Sequence, residues 1–144
     1  MKLYEFPLSG HSHKVRLMLA LLGQKYDSVI VNGQDREQKS AHFLVKNPFG
    51  QVPVLEDDST LIRDSQAILV YLARQYGADH WLPLAPETMA AVMGWLSTAA
   101  NEISRGPGAL RLHYKFGREV NLMEAQQTTK LVLQILQVQL AQQI

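Results

Sequence analysis

Several hydroxyl and imidazole groups lie just before a predicted helix near the start of the chain. Ser9 and Ser12 stand there with His11 and His13 beside them. A hydroxyl at a helix N-terminus can donate a hydrogen bond to an anion, because the helix dipole is positive at that end. A serine in this position also serves as an ordinary helix cap, and we interpret Ser12 as the N-cap of the first helix. A metal site at the two histidines would need further ligands at suitable spacing, and the sequence shows none.

A second polar pair, Asp64 and Ser65, opens another predicted helix, which Gly77 closes. The N–H groups and hydroxyl at such a helix start suit a carboxylate, whereas the Asp64 carboxylate suits an ammonium group. Without further context the pair is an ordinary N-cap. The neighbouring Arg63 is interpreted as a charge on the surface or on a dimer face.

The elements that must position these groups alternate between strand and helix signals. Strands are predicted at residues 2–6, 28–31, 52–55 and 60–62, and helices at 12–22, 36–45 and 64–76. The resulting order, β-α-β-α-β-β-α, is typical of an α/β unit with two crossovers and a hairpin. Pro53 within the third strand indicates an edge, a bulge or a cis peptide bond.

The second half of the chain has a different character. Residues 77–86 are predicted to be a linker because Pro83 and Pro86 break any continued helix. An amphipathic helix follows from Met89 to Ile103, and the stretch Arg105-Gly-Pro-Gly108 is predicted to end it or bend it sharply. A last helix is predicted from Asn121 to the C-terminus.

The composition excludes several classes of protein. With 144 residues, 47% of them hydrophobic, the chain can form one ordinary domain or two small ones, and global disorder is excluded. The 14 Lys and Arg residues nearly balance 13 Asp and Glu residues, which argues against nucleic acid as a partner. The absence of cysteine excludes disulfides, thiolate metal sites and a glutaredoxin-like disulfide exchanger. No apolar run approaches the ~18 residues of a membrane span and no signal peptide is evident, so we expect a cytoplasmic protein that binds no membrane.

Three motifs, in this order and spacing, resemble the cytosolic glutathione S-transferases of the serine type, the theta-, delta- and bacterial-like members. They are Phe6-Pro-Leu-Ser-Gly-His-Ser-His-Lys-Val-Arg16, Asn47-Pro-Phe-Gly-Gln-Val-Pro-Val-Leu55 and Asp64-Ser-Gln-Ala-Ile-Leu69. The first is similar to the family's active-site loop, the second to its segment with a cis-proline, and the third to its acid-serine motif. The resemblance implies an α/β thioredoxin-like N-terminal domain at 1–76, a linker at 77–86 and a partial all-α C-terminal domain at 87–144.

The resemblance also implies roles for individual residues. Ser9 would stabilise the glutathione thiolate by donating a hydrogen bond, with Ser12 as the alternative donor to the sulfur. Glutathione would be held by Lys39, Gln51, Val52, Pro53, Asp64 and Ser65. The backbone of Val52 would pair with the cysteinyl part of the tripeptide, and Lys39 and Gln51 would reach its glycine carboxylate. Leu8, His11 and Tyr114 are assigned to the electrophile pocket, with no metal site.

The implied activity is transfer of glutathione to small electrophilic, largely apolar compounds, in detoxification and by a homodimer. Glutathione would be the co-substrate, with no permanently bound cofactor. The alternatives are a non-catalytic protein that binds glutathione or apolar ligands, and a structural relative that uses the fold only for association. Against the family pattern, 144 residues amount to a first domain and about two helices of the second. The chain is therefore either incomplete or a naturally shortened relative.

Overall fold

The computed structural model describes residues 1–142, which form two compact units, one from Met1 to Ala85 and one that begins at Pro86. The first unit consists of β1 (Lys2–Glu5), α1 (Gly10–Leu21), β2 (Asp27–Ile30), a 3-10 turn (Glu37–Lys39), α2 (Ala41–Leu44), β3 (Val54–Asp57), β4 (Thr60–Arg63) and α3 (Ser65–Tyr76). This confirms the predicted order β-α-β-α-β-β-α.

The four strands form one mixed sheet in the order β2-β1-β3-β4. β1 and β2 are parallel because the helix α1 carries the chain back between them, whereas β3 runs antiparallel to both β1 and β4. Tyr4 pairs with Val54 across β1 and β3. The residues just before β3 therefore lie beside the loop that follows β1, which brings two of the sequence motifs together.

The two central strands of the sheet, β1 and β3, are covered on both faces. Leu3 and Leu55 are completely buried, as are the inward-facing residues of the two long helices, Val15, Leu19, Ile68 and Leu72. On the opposite face, the ring of Tyr4 packs edge-on against Phe43 of α2, with 6.3 Å between ring centroids. Because side chains alternate along β1, this strand packs against helices on both faces of the sheet, and these contacts fix the position of its C-terminal end.

The N-cap of the first helix lies three residues earlier than the sequence predicts. Ser9 is its N-cap, and the Ser9 Oγ accepts a hydrogen bond from the Ser12 N–H. The interpretation of Ser12 as the cap was wrong, because two further residues with helical geometry precede it. At the other end Gly23 has φ +65, and the Gln24 N–H donates to the Leu19 carbonyl, which is the Schellman arrangement favoured by glycine.

Residues 36–45 do not form the single helix predicted from the sequence. A 3-10 turn ends at Lys39, and Ser40 is extended with φ −68 and ψ 152. Its hydroxyl then accepts a hydrogen bond from the Phe43 N–H and so caps α2. The third strand likewise begins at Val54 rather than at Val52.

The second unit is helical in the residues that the structure describes. It contains α4 (Pro86–Ala100), a π-helical turn (Ser104–Gly108), α5 (Ala109–Phe116) and α6 (Leu122–Ala141). The predicted interruption falls at the π turn. Gly106 packs against α6 so closely that a Cβ there would lie 2.9 Å from the Thr129 backbone nitrogen.

The predicted last helix matches α6 from its cap, Asn121, whose side chain accepts from the Glu124 N–H. Its continuation over residues 143–144 lies outside the described residues. Only Ala125 and Val132 of α6 are buried, and most of its large apolar side chains are exposed. Across residues 1–142, none of the helices combines the length and the apolar character needed to cross a membrane.

Candidate functional site

A cavity of about 470 Å³ lies in the first unit, where the loop after β1, the segment before β3 and the N-termini of α1 and α3 meet. It is lined by Phe6, Ser9, His11, Gln38, Asn47, Phe49, Gly50, Gln51, Val52, Pro53, Arg63, Asp64 and Ser65. The sequence-predicted residues among them are Ser9, His11, Gln51, Val52, Pro53, Asp64 and Ser65. Leu8, Ser12 and Lys39 belong to the same unit but do not line the cavity.

Ser9 is held in the cavity wall by its role as the cap of α1. Its Oγ accepts a hydrogen bond from the Ser12 N–H at 3.2 Å, and its own N–H donates to the Phe6 carbonyl at 3.1 Å. Capping uses a lone pair of the hydroxyl, so the hydroxyl proton can still be donated to a group in the cavity. Because Ser9 lies at the positive end of a 12-residue helix, the site favours an anion as the acceptor of this hydrogen bond. Ser12, in contrast, is completely buried.

A buried ion pair fixes the loop that carries Ser9. Glu5 at the end of β1 is 2% exposed, pairs with Arg16 of α1, and accepts a hydrogen bond from the Ser28 hydroxyl at 2.7 Å. Arg16 also donates to the Pro7 carbonyl at 3.1 Å. One carboxylate thereby joins β1, β2 and α1, and the arginine ties the loop to them.

The segment before β3 presents backbone groups to the cavity. Its Val52–Pro53 peptide bond is cis, one of the alternatives that the sequence left open. The buried Asn47 shapes the turn, since its amide donates to the Gln51 carbonyl at 2.8 Å and its Oδ1 accepts from the Phe49 N–H at 3.1 Å. No hydrogen bond within the described chain uses the Val52 N–H or carbonyl. Both are therefore available to an extended ligand.

Asp64 and Ser65 form the N-terminus of α3, as the sequence predicts. The Asp64 Oδ1 accepts from the Gln66 N–H at 2.8 Å and from the Ala67 N–H at 3.3 Å. Asp64 does so with φ 69 and ψ 128, a left-handed conformation that is uncommon for a residue other than glycine. The Asp64 Oδ2 makes no hydrogen bond within residues 1–142, so a negative oxygen and the Ser65 hydroxyl lie side by side at the cavity.

His11 joins the two helix N-termini, because its Nδ1 lies 3.3 Å from the Ser65 Oγ. Loss of surrounding water and the Lys14 ammonium lower the pKa of His11 below its ordinary value of 6.5, and the Asp64 carboxylate opposes them. Loss of water likewise lowers the pKa of Lys14, again against Asp64. The first two effects favour the neutral imidazole over the imidazolium. In the described part of the chain, no three acidic or histidine side chains cluster closely enough to hold a metal ion.

One rim of the cavity contains Gln38, Phe49 and Arg63, to which the sequence assigned no role in binding. The Arg63 guanidinium lies over the Phe49 ring, 4.7 Å from its centroid, and the Lys39 Nζ donates to the Phe49 carbonyl at 2.8 Å. Gly50 has φ +57, and a Cβ there would lie 2.5 Å from the Gln38 carbonyl oxygen. Phe49 and Arg63 lie inside or beside the sequence motifs, which was the available signal. Gln38 has no such local signal, since only folding brings the 3-10 turn to this rim.

The residues assigned to the electrophile pocket are in different units. Leu8, in the loop after β1, is 56% exposed, and Tyr114, in α5, is 71% exposed. The Tyr114 ring packs edge-on against His113, with 5.0 Å between centroids. Their role toward an electrophile stays a prediction.

Comparison with known proteins agrees with this geometry. The family model for the glutathione S-transferase N-terminal domain matches residues 3–80, a range that contains every residue lining the cavity. The chain belongs to the glutathione S-transferase family. The thioredoxin-like fold implied by the sequence resemblance is thereby confirmed for the α/β part of this glutathione S-transferase relative.

Individual relatives extend the comparison. Arabidopsis thaliana glutathione S-transferase Z1 is 40% identical over 83 residues, which cover 58% of this chain and 38% of that protein. A Drosophila mojavensis glutathione transferase homolog, solved with bound glutathione, matches with a TM-score of 0.71 and 34% identity over 78% of this chain and 52% of the other. A possible glutathione S-transferase from Rhodopseudomonas palustris matches with a TM-score of 0.82 and 32% identity over 97% and 65% of the two chains. The chain thus spans less than two thirds of each of these proteins.

Proposed function

We propose that this protein is a glutathione transferase in which the Ser9 hydroxyl stabilises the thiolate of bound glutathione. The observation that carries the proposal is that one cavity combines three features: a hydroxyl donor at the start of α1, a free Val52 backbone, and the acid-serine pair at the start of α3. A thiol is mostly protonated near neutral pH, so a donor that favours the anion increases the reactive fraction. The thiolate sulfur then forms a bond to an electrophilic carbon, and the leaving group departs with its electron pair.

Each part of the tripeptide has a matching partner in this proposal. Its γ-glutamyl end is a zwitterion, whose carboxylate accepts hydrogen bonds from the N–H and hydroxyl of Ser65 and whose ammonium pairs with Asp64. Its cysteinyl part pairs with the Val52 backbone as a short added strand beside Pro53. Gln51 and Lys39 hold the glycine carboxylate. Lys39 must exchange its bond to the Phe49 carbonyl for that contact.

The substrate class and assembly are part of the same proposal. The electrophile is a small, largely apolar compound, and the protein acts in detoxification as a cytoplasmic homodimer. These assignments derive from the resemblance of the three motifs to serine-type family members. Several relatives of this chain carry the name glutathione S-transferase.

Two measurements on the purified chain test the proposal. Titration calorimetry with glutathione tests binding, and conjugation of glutathione to an electron-poor aryl chloride tests transfer. Saturable binding with turnover above the uncatalysed rate is the expected result. Binding without turnover of any electrophile would contradict transfer and favour a binding protein. Absence of glutathione binding would contradict the proposal as a whole.

A further inference from the structure

The contact between His11 and Ser65 links the two helices that point their N-termini into the cavity. His11 is the second residue of α1 and Ser65 is the first residue of α3. The His11 Nδ1 lies 3.3 Å from the Ser65 Oγ, and Ser65 is only 4% exposed. Ser65 nevertheless lines the cavity, and the His11 imidazole is the hydrogen-bond partner of its hydroxyl within residues 1–142.

A hydroxyl has a single proton, and this limits what Ser65 can do. If the His11 Nδ1 accepts that proton, the hydroxyl has none left for a ligand carboxylate. If instead Nδ1 carries a hydrogen and donates it to the Ser65 Oγ, the hydroxyl proton is turned toward the cavity. Donation in that direction also strengthens the outgoing hydrogen bond, because linked hydrogen bonds polarise one another.

The charges around His11 favour the neutral ring. Lys14 of α1 and Asp64 at the start of α3 are the charged groups that act on it, and Lys14 together with the loss of water outweighs Asp64. A neutral imidazole has one N–H, and its position on Nδ1 or Nε2 follows from the available partners. A carboxylate at the Ser65 hydroxyl would favour the tautomer with the hydrogen on Nδ1.

We propose that His11 is a positioning residue that donates its Nδ1–H to the Ser65 Oγ and so aims the Ser65 hydroxyl proton at the γ-glutamyl carboxylate of glutathione. The proposal rests on the proposed glutathione site and deepens it. It differs from the sequence-based assignment of His11 to the electrophile pocket, because it places the residue at the γ-glutamyl end of the tripeptide and not beside the reacting cysteinyl sulfur.

Three substitutions of His11 test this by calorimetry with glutathione. His11→Asn places an amide N–H close to the position of Nδ1–H, whereas His11→Gln places it near Nε2 and His11→Ala removes it. We expect His11→Ala and His11→Gln to raise the Kd for glutathione about 3- to 10-fold, the range for one lost hydrogen bond, and His11→Asn to restore most of the affinity. His13→Ala, an exposed histidine on the same helix, is the matched control and should leave the Kd unchanged.

Two further arms separate positioning from a direct or merely structural role. A glutathione analogue that lacks the γ-glutamyl carboxylate should bind wild type and His11→Ala equally, because the aimed proton has no acceptor. In a Ser65→Ala background, His11→Ala should add less than a twofold further loss. An undiminished loss in either arm, or equal Kd values for the Asn and Gln variants, would overturn the proposal. If wild type itself fails to bind glutathione, the proposed function fails instead, so the two failures are distinguishable.

Discussion

Replacing Ser9 by alanine removes a helix cap and a hydrogen-bond donor, and the two losses have different magnitudes. The cap is the hydrogen bond from the Ser12 N–H to the Ser9 Oγ at 3.2 Å, and its removal should lower the free energy of unfolding by about 1 kcal/mol. The donor acts on a charged acceptor, for which about 1.5–3 kcal/mol is typical. Since each pKa unit corresponds to about 1.36 kcal/mol, the pKa of the bound glutathione thiol should rise by about 1 to 2.

The thiol pKa is measured from the ultraviolet absorbance of the thiolate while the complex is titrated with base. Stability is measured by urea unfolding with tryptophan fluorescence. Ser9→Gly is the matched control, because glycine is a tolerated cap residue but carries no hydroxyl. It should raise the thiol pKa as much as alanine does while costing less stability.

Ser12→Ala decides between the two serines. The Ser12 Oγ is completely buried and has no hydrogen-bond partner within the described chain. Its removal should leave the thiol pKa unchanged and leave the unfolding free energy unchanged or raise it by up to about 1 kcal/mol, since an unpaired buried hydroxyl is unfavourable. A raised thiol pKa in Ser12→Ala with a normal one in Ser9→Ala would refute the assignment of the donor to Ser9. Normal values in both variants would refute a hydroxyl donor altogether.

Three further predictions concern the framework around the cavity. Arg16→Met leaves the buried Glu5 carboxylate without its cation and should lower the free energy of unfolding by about 3–5 kcal/mol. Adding Glu5→Gln should recover part of that loss in urea unfolding, and a double variant no more stable than Arg16→Met would contradict this. Gly50→Ala should lower the free energy of unfolding by about 1–3 kcal/mol, because the residue has φ +57 and a Cβ would lie 2.5 Å from a carbonyl oxygen. Gly94→Ala, in open space on α4, should raise the free energy of unfolding by about 1 kcal/mol. Equal shifts of the melting temperature in the two variants would contradict this. The Asp57 carboxylate accepts a hydrogen bond from the Tyr76 hydroxyl, and together with burial this raises the pKa of Tyr76 from 10.0 to about 12. The folded state then holds this proton more tightly, so the contribution of Tyr76 to stability is fully present below pH 10 and should be lost between about pH 10 and 12. Tyr76→Phe should remove this pH-dependent contribution from the free energy of unfolding measured across that range.

Much of the first unit could be predicted from local pattern. The strand and helix order follows from short apolar runs and stop residues, and the cap at Asp64 and the break at Gly23 are dictated by residue type. The start of α1 could not be predicted in the same way, because Ser9 and Ser12 are both good caps by type. The choice depends on where β1 ends, and Arg16 fixes that loop through its bond to the Pro7 carbonyl.

The same distinction between local pattern and tertiary contact applies to the residues of the candidate site. Of the residues assigned from the three motifs, Ser9, His11, Gln51, Val52, Pro53, Asp64 and Ser65 line the cavity, whereas Leu8 and Ser12 do not. The sequence could not indicate that Gln38 reaches the rim, or that Arg63 lies on the Phe49 ring, since both contacts join segments that meet only after the sheet has formed.

The sequence by itself determined the family, the order of elements and the kinds of groups available: hydroxyls at helix starts, an acid, and a backbone segment beside a proline. Only the tertiary structure decided which groups share a cavity and which way they face. Of the two serines three residues apart, it leaves Ser9 at the cavity and buries Ser12 completely, because one caps the helix and the other lies inside its first turn. It also brings His11 to Ser65, residues 54 positions apart, because β3 pairs antiparallel with both β1 and β4 and so sets the last residues of β1 and β4, which lead into α1 and α3, at the same end of the sheet.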